Sequence, residues 1–148
     1  MDIGLIGFRR RPGIFASGLI GLLLVMGSPV LAHHSTAAFD SSRVVRIEGT
    51  ITQFRWINPH ASIKLEGTAV GGPDGLWTVE MTAPNILINQ GWKRNSISAG
   101  DKVVMFVNPL QNPITLNDGS QGGLYVGIVL ADGSTLGRTD GGGQGTAD

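Results

Sequence analysis

The sequence has 148 residues, with 11 basic and 11 acidic side chains, three histidines and no cysteine. That length suits one domain around a single core, and the even charge argues against a phosphate-binding footprint, hence against nucleic acid as a partner. Without cysteine there is no disulfide, no thiolate metal site and no thiol nucleophile.

Residues 1–32 read as a secretory signal peptide. Arg9, Arg10 and Arg11 form a positive n-region, Ile14 to Met26 is a short apolar run, and Gly27-Ser28-Pro29 breaks it. Val30-Leu31-Ala32 places small residues where a signal peptidase reads them. The apolar run falls short of the roughly 20 residues that span a bilayer, so a retained anchor is the weaker reading. No membrane span is expected after cleavage. Pro12-Gly13 fits the twin-arginine route poorly, which leaves the general export route and a periplasmic location. Cleavage removes three arginines and one aspartate, so the chain from His33 onward is slightly acidic.

Residues 33–42 are polar and small, without a clear period, and predict an extended N-terminal arm. The barrel domain is expected over 43–138. Arg43 to Trp56 is the first long strand signal: Val45, Ile47, Gly49 and Ile51 alternate with Arg46, Glu48 and Thr50. After Thr52 the apolar parity passes to Phe54 and Trp56, which predicts a bulge or bend, helped by Gly49. Asn58-Pro59 makes a corner, because proline cannot donate to a ladder. His60 to Glu66 is the second strand, with His60, Ser62 and Lys64 on one face. Residues 67–75 read as a Gly-rich hairpin loop, and Leu76 to Thr82 as the third strand with Trp77, Val79 and Met81 inward.

Pro84 to Gln90 predicts a two-turn helix, with Pro at its start and Gly91 just past its end. Ile86, Leu87 and Trp92 are its expected core contacts. Lys102 to Asn108 is the fourth strand, residues 109–123 a long loop, and Leu124 to Leu130 the fifth strand. Residues 139–148 are Gly-rich and polar and predict a disordered tail. Three strands, a short helix and two strands is the order of the five-stranded oligomer-binding (OB) barrel; another small barrel or an open sandwich are the alternatives.

No catalytic constellation is present. There is no G-x-S-x-G and no HExxH, and Glu48, Glu66, Glu80 and Asp101 are scattered. A binding protein is expected rather than an enzyme. The unusual feature is His33-His34 at the expected mature start. An N-terminal histidine chelates through its amine and its ring, and a third nitrogen from His60 would complete a tetragonal set that suits Cu(II). The metal candidates are therefore His33, His34 and His60, with copper as the expected ion. The plain alternative leaves His33 and His34 in solvent and hydrogen-bonds His60 to nearby backbone. Phe54, Trp56 and Asn58 share one strand parity and form a second candidate, an aromatic surface for a small ligand or a periplasmic protein partner. The plain alternative there is packing at a bent strand.

The export signal, His33-His34-Ser35, Gly49-Thr50, Phe54-x-Trp56-x-Asn58-Pro59-His60, Trp77-x-Val79-Glu80, Pro84, Gly91-Trp92 and Gly100-Asp101-x-Val103 span nearly the whole mature chain. Together they resemble an exported bacterial family catalogued as domain of unknown function 6152. The resemblance implies a periplasmic single-domain β-protein and brings no established activity. The family carries a Gly-containing segment soon after the fourth strand's proline. Here Leu110-Gln111-Asn112-Pro113 stands instead, which leaves the role of the 109–123 loop open.

Overall fold

The computed structural model of the protein describes residues 36–112 and 114–140. The expected signal peptide, His33, His34 and most of the expected tail lie outside these residues. Within them, β1 (Val45–Arg55), β2 (Ser62–Val70), β3 (Gly75–Glu80), β4 (Lys102–Pro109) and β5 (Gln121–Val129) form a closed barrel, with β6 (Thr135–Gly137) added to β5. The sheet runs β3-β2-β1-β4-β5, and a parallel β3–β5 pairing closes it. A short helix, α1 (Pro84–Asn89), lies between β3 and β4. This is the small OB-type barrel that the order of elements predicts.

The inward parity of each strand builds the core. Val45, Ile47 and Ile51 from β1, Ile63 and Leu65 from β2, and Trp77 and Val79 from β3 are buried. They meet Met105 and Val107 of β4 and Ile128 of β5. The predicted change of parity in β1 is a register shift against β2 between Ile51 and Gln53, so Thr52 is the extra residue. Beyond it Phe54 turns toward the apolar side and packs on the core edge with Trp56.

Three expectations change. The second strand does not stop at Glu66: it continues to Val70, with Gly67 paired to Gly49 on one side and Gly75 on the other. Glycine there permits close strand approach, since a Cβ on Gly67 would lie 2.2 Å from the Glu48 carbonyl oxygen. The helix sends Leu87 and Trp92 into the core but leaves Ile86 45% exposed. Successive helical residues point about 100° apart, so Ile86 and Leu87 cannot both face inward. Trp92 is placed by the helix end: its N–H bonds to the Leu87 carbonyl and the Gly91 N–H to that of Ile88. That double cap needs the left-handed Gly91, whose φ is +89°. Finally, the described part of the arm is not simply extended. Thr36–Ala38 make a 3-10 turn, and Phe39 bridges to Leu110. The Asp40 N–H bonds to the Pro109 carbonyl and the Gln111 N–H to that of Ala38.

Candidate functional site

The outer face of the β2–β3 hairpin carries the polar side chains whose inward neighbours are core. Its register places Ser62 opposite Glu80 and Lys64 opposite Thr78. His60 lies two residues before Ser62, hence on the same outer parity, while Ala61 between them is buried and exchanges backbone hydrogen bonds with Met81 and Thr82. The Asn58–Pro59 bond that leads into it is cis.

His60 Nδ1 lies 2.7 Å from Glu80 Oε1, with both side chains partly exposed. A carboxylate accepts only, so in the neutral ring the proton sits on Nδ1 and the lone pair on Nε2. The hydrogen bond also fixes the plane of the ring. This is the arrangement by which a carboxylate orients a metal-binding or proton-accepting imidazole. His60 is therefore held by a side chain across the hairpin and not, as the plain alternative had it, by nearby backbone.

A second polar cluster sits further along the hairpin. Lys64 Nζ pairs with Asp118 Oδ2. The Ser120 hydroxyl and N–H donate to Asp118 Oδ1 at 2.6 and 3.1 Å, and the Thr78 and Ser120 hydroxyl oxygens lie 2.8 Å apart. Since the Ser120 proton is committed to Asp118, Thr78 is the donor between the two hydroxyls. The loop between β4 and β5 is thus tied onto β2 and β3, and Ser120 is fully buried.

The hydrogen bond from Lys64, then those from Ser120, hold the Asp118 carboxyl well below the usual carboxylate range. A depressed folded pKa means stability that is present above the unfolded value, about 4, and lost as pH falls through the acid range. Unfolding midpoints from pH 6 to pH 2 should therefore fall less steeply for Asp118→Asn than for the parent. The difference should be modest, because the pair is at the surface; parallel curves would remove Asp118 from the acid response.

The aromatic candidate is partly a packing cluster. Phe54 and Trp56 meet edge to face with centroids 5.6 Å apart, Phe54 lies 5.9 Å from Trp92, and Trp92 lies 5.4 Å from Tyr125. Phe54 and Trp56 are partly buried against the core, whereas Asn58 is exposed. Tyr125 donates to the Leu136 carbonyl at 2.7 Å, and burial pushes its phenol up. The Trp92 indole N–H opposes part of that shift, and it is buried without a hydrogen-bond partner among the described residues.

The structure thus joins Phe54 to Trp56 and joins His60 to Glu80, a partner that sequence reading missed. No group of three or more histidine, aspartate or glutamate side chains that could hold a metal occurs among the described residues. His33 and His34 are not among them. Neither a curated protein nor a solved structure matches the chain. A family model, described as a family of unknown function (DUF6152), matches residues 22–124, which run through β1–β4 and into β5. The sequence resemblance and this match agree: the chain belongs to the DUF6152 family.

Proposed function

We propose that the protein is exported to the periplasm and binds copper there, through the amine and ring of His33, with His60 and His34 supplying further nitrogens. The observation that carries this reading is the His60–Glu80 hydrogen bond at 2.7 Å. It directs the Nε2 lone pair away from the carboxylate and fixes the ring, as a ligand histidine requires. The sequence adds two histidines at the expected mature start and no competing soft ligand cluster. Three imidazole or amine nitrogens favour Cu(II) over the hard cations. Binding must compete with protons at each nitrogen, so affinity rises with pH through the range where imidazole and the α-amine titrate, about 6.5 to 8.

Protein recovered from the periplasm should start at His33 by mass spectrometry. It should bind one Cu(II) with an electron paramagnetic resonance signal of tetragonal nitrogen coordination. One extra residue ahead of His33 displaces the amine and should nearly abolish the site. His60→Ala should change the spectrum, and Glu80→Gln should weaken binding by about 10- to 100-fold. A different start, or Cu(II) binding no tighter than to an unstructured histidine-containing peptide, overturns the reading. The partly exposed face of Phe54, Trp56 and Asn58 would then be the leading surface for a non-metal ligand or protein partner.

A further inference from the structure

The arm that leads back to His33 and the ring of His60 sit at opposite ends of β1. The arm is tied down by two backbone hydrogen bonds, from the Asp40 N–H to the Pro109 carbonyl at 2.8 Å and from the Gln111 N–H to the Ala38 carbonyl at 2.9 Å. Phe39 bridges to Leu110 between them. These partners lie just past Val107, which pairs with Val45 at the start of β1. His60 lies past the other end, because Ser62 pairs with Arg55, the last residue of β1.

β1 is eleven residues long. At about 3.3 Å per residue and a tilt of about 45°, its ends stand roughly 23 Å apart along the barrel axis. From Thr36, the first residue of the docked turn, His33 is three residues back. Three residues span at most about 11 Å in any conformation, about half the separation, and His60 lies beyond the far end. A docked arm therefore cannot bring the His33 amine to the His60 ring of its own chain. Either the arm lets go or a second copy supplies the ring.

The apolar surface favours the copy. The five large hydrophobic side chains exposed among the described residues divide between the same two ends. Ile57 lies between Arg55 and His60, and Ile86 and Ile88 are on α1, which follows Met81 and Thr82 where they bond to Ala61. Val70 pairs with Arg46, and Ile114 lines a hollow with Arg43 and Gly71, at the arm's end. Two copies side by side and antiparallel place the arm end of each on the His60 end of the other, which covers both sets at once. Letting the arm go covers neither.

We propose that the copper site is completed between two copies of this chain, the amine and ring of His33 from one molecule and His60 from its partner. The inference rests on the copper reading above. Such a contact is isologous, so it closes as a dimer with two identical sites and one Cu(II) per chain. Because copper binding and association are linked, copper affinity rises with protein concentration.

The test measures the mass of the processed protein by sedimentation velocity with and without Cu(II), and uses two variants that each lack one half of the site. One carries an extra residue ahead of His33; the other is His60→Ala. The parent should double in mass as it takes up one Cu(II) per chain. Neither variant alone should show the parent's electron paramagnetic resonance spectrum. Their equimolar mixture should recover it at half the parent's capacity, since one of the two sites in a mixed pair is whole. Parent protein that holds Cu(II) at the monomer mass, or a mixture whose spectrum is the sum of the two variants, overturns the shared site and leaves copper binding standing. No Cu(II) binding by the parent overturns the copper reading and the shared site together.

Discussion

Trp77→Ala should lower the unfolding free energy by about 3–5 kcal/mol, the range for deleting a large aromatic from a packed core. Trp77 is 1% exposed, stands on the inward parity of β3 and is held at its indole N–H by the Pro73 carbonyl, 3.1 Å away. The chain at Gly72 lies close to both the ring and Val45: a Cβ added there would meet each of them at 3.1 Å. For a domain whose total stability is about 5–15 kcal/mol, such a loss leaves a fraction of the chain unfolded at rest. Urea denaturation of the two proteins measures it, and a cost below about 1 kcal/mol would mean that β3 presents its other face to the core.

Gly67→Val should be comparably severe, about 3 kcal/mol or more, for the opposite reason. Valine suits a strand, and the φ of Gly67 is not in the left-handed region. The obstacle is contact: its Cβ would stand 2.2 Å from the Glu48 carbonyl oxygen and 2.6 Å from the Gly49 Cα, both backbone atoms of β1. Neither can rotate away, so the β1–β2 ladder must open. Gly127→Val is the informative comparison. There the clash is with the Arg138 carbonyl at 1.9 Å, beyond β6. Displacing that segment relieves it at a smaller cost, and the barrel stays closed. Thermal melts of the two variants should rank Gly67→Val well below Gly127→Val; equal midpoints would refute the close crossing.

Much of this barrel is legible residue by residue. The parity change after Ile51 reveals the bulge, because a strand alternates strictly and cannot switch faces without an extra residue. Pro84 and Gly91 bracket the helix because each removes what a continuing helix needs. Gly67 misleads for a physical reason: glycine in a loop and glycine at a close strand crossing are the same letter, and only the partner strand tells them apart. The site is harder to read than the fold. His60 is visible as an isolated histidine at a corner, but Glu80 is one of several scattered carboxylates until the hairpin register brings it across. Lys64 and Asp118 are separated by 54 positions in the chain, and no local pattern links them. The docking of the arm on Leu110 and Gln111 likewise depends on where β4 ends in space.

The order in which the strands pair has a kinetic consequence. β1, β2 and β3 form a sequential antiparallel meander that can assemble as soon as residue 80 is available. That meander has two unsatisfied edges, and one later hairpin covers both: β4 lies along β1 while β5 lies along β3. Ring closure therefore needs the β4–β5 unit and joins the strands most distant in the chain, the kind of contact that slows folding. Until it arrives, the half-built sheet displays two open templates for strand addition. The four-residue parallel match of Trp77–Glu80 with Gln121–Leu124 is then the catch that ends this vulnerable interval. Weakening it should raise aggregation during refolding more than it changes the properties of protein already folded.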